Sequence, residues 1–483
     1  MSMSTEQLRN DAMQIWREGV DAVTPARLFG DKVQLNGARL IVEGSELEPV
    51  ELDLANVRRL VVVGAGKAAA AMAIALQQVV LNRLATALPE LEIEGWINVP
   101  ADTFSPAEAG ALQPIHLHAA RPPGINAPTE AAILGTQRIL ELVRNCDHRD
   151  CVICLLSGGG SALLVAPATG VTLADKQAVA RQVAAAGGNI EQLNAVRRPL
   201  SQVKGGGLAR ACRAGRLLTL ILSDVLGDAL DTIASGPTVC PPPAENLQAR
   251  TQDNASRALS VLDELGLSDS PSLAGAINAL QQQAQAQVKA ISREHDRPIH
   301  VEHVILGNNA DAVDAAGVKA VELGYRYVMQ SAGRVEGDVL QVARSAVDAI
   351  EQLVSQDQID CWISGGEPTV TLPLQGTGRG GRNQQLALAV LHEMQLRPSQ
   401  ADSSHEWVFL SGGTDGEDGP TDAAGAIVDR HVIACTAELH LDSSDYLARA
   451  DAYSFFAKVG GLLHTGPTGT NVCDIRVALC KQS

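Results

Sequence analysis

Three apolar runs in this chain of 483 residues each stop at Ser-Gly-Gly. They are Cys154-Leu155-Leu156-Ser157-Gly158-Gly159, Cys361-Trp362-Ile363-Ser364-Gly365-Gly366 and Val408-Phe409-Leu410-Ser411-Gly412-Gly413. A short apolar run closed by glycines predicts a buried parallel strand entering a tight turn. Glycine lets backbone amides approach a ligand closely, and successive amides in such turns form anion-binding nests. Ligands of open α/β sheets lie beyond the carboxyl ends of the strands. Three such ends therefore predict one anion site built from distant parts of the chain. A single Ser-Gly-Gly is an ordinary strand-ending turn; the repetition gives the pattern its weight.

The length exceeds one usual core, so two domains are expected. Aromatics are only 3% of the chain against 44 glycines, which suits an α/β enzyme with many tight turns better than a β sandwich. A net charge of −17 argues against nucleic acid or an anionic membrane as partner. Local Lys and Arg can still hold a phosphate. The nine cysteines are scattered, and Cys151 and Cys154 fall on opposite faces of a strand-like run. They read as small buried hydrophobes in a reducing compartment. Met1 to Arg9 is polar, and no run approaches the ~20 apolar residues of a membrane span. A cytoplasmic protein is expected, and a homodimer is compatible with the sequence.

In chain order, an amphipathic helix is predicted over residues 5–20. Val57 to Val63 then reads as a buried strand running into Gly64-Ala65-Gly66-Lys67-Ala68-Ala69 and an Ala-rich helix. The glycine spacing matches a dinucleotide fingerprint, yet the acid expected about 20 residues later for a ribose hydroxyl is missing. Lys67 in the first helical turn opposes the helix dipole. It is either solvated or serving an anion, and its place after a glycine turn favours the anion. Thr172 with Asp175 predicts a capping box. Residues 189–213 carry Asn194, Arg197, Arg198, Ser201 and Lys204, a basic cluster equally readable as a solvated helix face. The strand Leu217 to Leu222 ends in Ser223-Asp224-Val225-Leu226-Gly227-Asp228, whose carboxylates suit either Mg²⁺ and general-base work or helix capping.

Cys240-Pro241-Pro242-Pro243 is the best boundary signal, dividing the chain into residues 1–245, a helical connection over 246–299, and residues 300–483. Beyond it, Gly376-Thr377-Gly378-Arg379-Gly380-Gly381-Arg382-Asn383-Gln384-Gln385 sets two arginines in a glycine-rich stretch before a helix, an oxyanion cradle in physical terms. No P-loop is present, since Gly66-Lys67 is followed by Ala68, and Gly159-Gly160-Ser161-Ala162-Leu163 departs from a hydrolase elbow. His116 and His118 share a strand face without an evident third metal ligand.

Gly64-Ala65-Gly66-Lys67, Ser157-Gly158-Gly159-Gly160-Ser161-Ala162, Ser235-Gly236-Pro237-Thr238, Gly378 through Gln384, Gly413-Thr414-Asp415-Gly416, Asp418 through Gly425, and Gly466 through Asn471-Val472 resemble glycerate 2-kinases of the MOFRL type over about residues 5–481. The resemblance implies a Rossmann-like N-terminal parallel-sheet domain, a smaller C-terminal α/β domain, and an active site in the cleft between them. It also implies transfer of the γ-phosphoryl group of ATP, with Mg²⁺, to the 2-hydroxyl of D-glycerate. The essential lysine and arginine of that family fall on Lys67 and Arg382, expected to face phosphoryl oxygens or the glycerate carboxylate, with Arg379 in support. The turn Gly64–Gly66 and the amides of Gly158, Gly159, Gly160 and Ser161 are expected to hold phosphate, with Asp228, Asn383 and Asn471 also toward the nucleotide. Asp224 and Asp415 are the expected catalytic carboxylates and Mg²⁺ ligands. Gln385 stands where the family often has Glu. Two other classes are open: an NAD(P)H-dependent hydroxypyruvate reductase, and a non-catalytic sugar-phosphate-binding protein.

Overall fold

The computed structural model describes residues 5–44, 48–122, 127–240, 247–286, 299–330, 336–355, 359–373, 377–397 and 405–482. The chain forms two compact units, each assembled from stretches that are not consecutive in sequence. One contains Phe29–Leu222 and Asp228–Leu306; the other contains Met1–Leu28, Ser223–Gly227 and Gly307–Ser483. Pro241–Pro243 and Gly376 lie outside the described residues.

The first unit is built on a six-stranded sheet. Its spatial order is Ile115–Arg121, Glu92–Pro100, Arg59–Ala65, Cys151–Leu156, Arg216–Leu222, His300–Gly307. Numbered along the chain, that is 3-2-1-4-5-6, the order of a doubly wound dinucleotide fold. Leu60 to Val63 and all of Cys151–Leu156 are buried. Covered on both faces, they read as continuous apolar runs rather than alternating ones. The chain reverses its winding between Arg59–Ala65 and Cys151–Leu156, which are hydrogen-bonded neighbours. Their two glycine turns thus lie side by side, where such sheets bind ligands. His116 and His118 stack on Trp96, with ring centroids 4.1 and 5.3 Å away, so they serve aromatic packing. Helices Leu173–Ala185, Ile190–Arg197, Leu247–Glu264 and Ala274–Gln285 share an apolar core that includes Val179, Val196, Leu262 and Leu280. The residues expected as a connection thus pack within this unit. Amphipathic helices bury their apolar stripes against one another.

The second unit is organised on a mixed sheet ordered Tyr327–Gln330, Cys361–Gly366, Asp474–Gln482, His405–Gly413, Gly425–Asp429, Leu462–Leu463. Two Ser-Gly-Gly runs sit here: Cys361–Gly366 has the expected parallel neighbour in Tyr327–Gln330, whereas both neighbours of His405–Gly413 are antiparallel, which corrects the expectation for that run. The closing strand Asp474–Gln482 lies between them and pairs antiparallel with both. Burial on both faces makes such strands look parallel in sequence whatever their neighbours' direction. The N-terminal helix Thr5–Ala22 packs on this sheet, with Trp16 Nε1 donating to Gly412 O at 3.2 Å. Helices Val339–Ser355 and Arg382–Leu396 share its other large apolar core.

Candidate active site

In the parallel-sheet unit the Lys67 turn and the Ser157 turn are tied together by their backbones. Lys67 N donates to Gly158 O at 2.8 Å, and Ala68 N to Ser157 Oγ at 3.0 Å. Gly66 has φ 153°, and a Cβ there would lie 2.0 Å from Ser157 Oγ, so no side chain fits. A Cβ on Gly159 would lie 3.4 Å from Lys67 Cγ and 3.7 Å from Arg121 Nη2. The lysine stem and a buried guanidinium therefore flank the bare backbone of Gly159. Among the described residues no protein acceptor takes the amides of Gly158 or Gly159. Two cations and two donors around one glycine make a site for an oxyanion. The helix running on from Lys67, Ala69–Leu76, begins without a side-chain cap.

Ser161 is held from behind. Its Oγ lies 2.7 Å from Ser235 Oγ, and Lys204 Nζ reaches Ser161 O and Oγ at 3.1 Å and Ser235 Oγ at 3.3 Å. Ala234 and Ser235 both have positive φ, 49° and 65°, a strained pair of non-glycine residues fixed by this network. Burial, and then the charges of Lys176, Arg197 and Arg198, depress the Lys204 amine well below its ordinary range. Asp228 belongs to this unit, half-buried with φ 54°.

In the mixed-sheet unit Arg382 is the first residue of the helix Arg382–Leu396. Its Nε and Nη2 meet the two oxygens of Asp474 at 2.7 and 3.0 Å, and Nη1 meets Glu367 Oε1 at 2.6 Å. Burial opposes its charge, but Asp474 and Glu367 hold the guanidinium firmly protonated. Burial raises the Glu367 carboxyl, against the pull of Arg382. Cys473, with φ 70°, donates from Sγ to Asp224 O at 2.9 Å, placing Asp224 beside this group. Asp415 lies in the turn after His405–Gly413, its Oδ1 accepting from Glu417 N at 3.2 Å.

The predicted oxyanion cradle at the start of this helix is already filled. Asp418 accepts from Asn383 N at 3.0 Å and Gln384 N at 2.8 Å, capping the helix from 35 residues away. Burial pushes the Asp418 carboxyl up to about 7, against these amide bonds. The Asn383 amide group lies between Ser411 Oγ and Asp418, and the residue is 1% exposed. It braces the loop through these two contacts. Arg379 is exposed and lies over the Tyr453 ring, 4.3 Å from its centroid. Asn471 is half-buried, and its side chain makes no hydrogen bond to a described residue. Gln385 is buried and donates to Leu447 O at 2.8 Å, a bond an ionised glutamate could not make. Sequence reasoning missed Glu367, Asp474 and Asp418 as partners of this loop, although Asp418 lies in a motif it singled out and Glu367 directly follows one.

A doubly wound sheet with a lysine-bearing glycine turn at its switch point makes this an α/β protein of the dinucleotide-fold strand order. Residues 11–277 match the family described as "Domain of unknown function (DUF4147)", and residues 360–474 match the MOFRL family. The chain is 34% identical to a glycerate kinase of Danio rerio, over 99% of this chain and 98% of that protein. It is 33% identical to a D-glycerate 2-kinase of Thermotoga maritima, over 98% and 99%. The crystal structure of a Thermotoga maritima glycerate kinase resembles it with a TM-score of 0.72 at 31% identity, covering 98% of this chain and 99% of that one. This chain belongs to the DUF4147–MOFRL family of glycerate kinases. The reductase alternative finds no support among these relatives. No described helix is long and apolar enough to cross a membrane.

Proposed function

We propose that this chain is an ATP-dependent kinase that phosphorylates the 2-hydroxyl of D-glycerate, giving 2-phosphoglycerate and ADP. The observation that carries this reading is the near-full-length likeness, across both units, to relatives named for glycerate phosphorylation. The geometry supports it. Phosphoryl transfer asks a protein chiefly for positioning and for positive charge around the moving group. Lys67 beside Gly159 supplies a cation and unused amides. Arg382 uses three of its five N–H groups on Asp474 and Glu367, leaving two in a fixed orientation for a phosphoryl or carboxylate oxygen.

Asp224 and Asp415 would hold Mg²⁺, which would supply charge neutralisation at the phosphate oxygens. The fit is that of an ion bound by one or two carboxylates with water and phosphate completing its shell. Among the described residues no set of three metal-ligating side chains lies together, so water and phosphate oxygens would have to complete the shell. One of these aspartates also takes the proton of the acceptor hydroxyl. Nine free thiols suit a cytoplasmic setting.

The test is incubation with MgATP and D-glycerate, measuring ADP release and the phosphorylated carbon by phosphorus NMR. Release of ADP with 2-phosphoglycerate is expected. Phosphorylation at the 3-hydroxyl would overturn the regiochemistry. NADH oxidation with hydroxypyruvate, without ADP release, would overturn the class.

A further inference from the structure

The parallel-sheet unit contains a cavity of about 230 Å³ behind the Ser157 turn. Gly159 and Ser161 form part of its wall, Val179 and Leu200 contribute apolar surface, and Lys176, Arg197 and Lys204 line it. Among the described residues no carboxylate does. Lys176 and Lys204 are 6% and 4% exposed. Lys176 donates to Leu200 O at 3.2 Å, and Lys204 meets only Ser161 and Ser235 oxygens. Each amine is thus satisfied by neutral acceptors, without a counter-charge.

Arg197 is the sharper case. Its neighbour Arg198 pairs with Asp231, through O at 2.7 Å and Oδ2 at 2.9 Å. Arg197, by contrast, is half-buried and makes no hydrogen bond or ion pair with a described residue. It sits in the last turn of Ile190–Arg197, where the helix dipole favours a cation weakly. That weak preference does not replace a counter-charge for a partly desolvated guanidinium. A guanidinium cannot escape by losing its proton. Three basic side chains sharing a cavity without a described carboxylate repel one another when protonated, and an anion would hold all three in the charged form.

We infer that this cavity is a binding site for a multiply charged phosphate ligand, held by Lys176, Arg197 and Lys204. A single carboxylate would leave two of the three charges unmatched, whereas a phosphate chain or a phosphorylated three-carbon acid matches them. Gly159 has Lys67 on one side and belongs to the cavity wall on the other, so the cavity adjoins the oxyanion site at the switch point. Lys204 would gain a counter-charge on binding, and through Ser161 and Ser235 it would fix the turn. The phosphate could come from the nucleoside triphosphate or from the phosphorylated product. That choice rests on the kinase reading; the site itself does not.

The experiment is calorimetric titration of the full chain with inorganic tripolyphosphate and, separately, with 2-phosphoglycerate, for wild type, Arg197→Gln and Lys176→Met. Arg197→Gln removes charge without abandoning a protein partner, so it should melt with wild type. The expected result is a tenfold or greater loss of affinity in each variant. Loss for tripolyphosphate assigns the site to the nucleotide, and loss confined to 2-phosphoglycerate assigns it to the product. A wild type that binds neither probe, or an Arg197→Gln variant that binds both as wild type does, would overturn the inference. Because binding is read without turnover, the two readings fail separately. Charge-dependent tripolyphosphate binding without ADP release would sink the kinase reading alone. Normal Michaelis constants in Arg197→Gln, with unchanged binding, would sink the site alone.

Discussion

Arg382 grips both oxygens of Asp474, a carboxylate with no exposed side-chain surface. Asp474 opens the closing strand, paired with Gly366 on one side and Gly413 on the other. Two of the three Ser-Gly-Gly runs therefore end around a single carboxylate. Gly366 must lack a side chain, since a Cβ there would lie 2.0 Å from Glu336 Oε2. That glycine makes room for the Glu336–Arg476 pair, while Asp474 and Glu367 orient Arg382.

This relationship separates stability from chemistry at Arg382. Removing one partner of a buried pair leaves an uncompensated charge, at about 3–5 kcal/mol. Arg382 is about one-third exposed, so a loss nearer 1–3 kcal/mol is expected for Arg382→Ala. Turnover should fall by about 10²-fold or more. Arg382→Ala combined with Asp474→Asn should recover much of the melting temperature and none of the activity. A double variant that regained turnover would show Arg382 to be only structural.

Lys67 should give the opposite pattern. It opposes the dipole of the helix that follows, and it is only half-buried. Lys67→Met should leave the fold intact, because the turn is closed by the backbone bond from Lys67 N to Gly158 O and by Ala68 N on Ser157 Oγ. Turnover with MgATP and D-glycerate should fall at least about 10²-fold. A tenfold loss or less, in a folded protein, would remove Lys67 from the chemistry.

The seam between the two glycine turns can be probed through Ser157. Ser157 is fully buried, and its hydroxyl accepts from Ala68 N. Ser157→Ala strands that amide, so a loss of about 1–3 kcal/mol is expected. Gly66→Ala drives a methyl into the same hydroxyl and should prevent normal folding altogether. A Gly66→Ala variant that melted together with wild type would mean the turn is less tightly closed than described.

The parallel-sheet half of the candidate site was legible because its signals are local. Glycines at a strand end, Lys67 after them, and the Thr172–Asp175 capping box all formed as the spacing predicts. The mixed sheet was harder. Asp474 and Arg382 meet only because a strand 92 residues later lies between two others, and register across such a distance leaves no periodic trace. Asp418 likewise caps a helix it does not precede. The basic cluster at 197–204 shows the same limit. Arg198 and Arg197 look alike in sequence, yet one reaches Asp231 and the other faces a cavity.

Lys176 provides the pH test. Burial, with a smaller push from Arg197, lowers its amine from 10.5 to about 8. Arg197 and Lys204 share the cavity with it, and among the described residues no carboxylate lines that cavity. Between about pH 8 and 10.5 the unfolded chain therefore binds a proton that the folded chain does not. Stability contributed by this group rises with pH across that window, and its full cost is felt below about pH 8. Lys176→Met removes the buried charge and loses only the bond to Leu200 O, so the variant should melt at or above wild type at neutral pH. Its advantage should shrink as pH approaches about 10, on the order of 1 kcal/mol per pH unit. Melting curves of both proteins from about pH 6 to 10 decide the matter. An advantage that grew with pH, or a variant less stable than wild type at neutral pH, would mean that Lys176 already has a counter-charge inside the protein. A more stable variant that binds tripolyphosphate worse would show a charge kept for its ligand at the fold's expense.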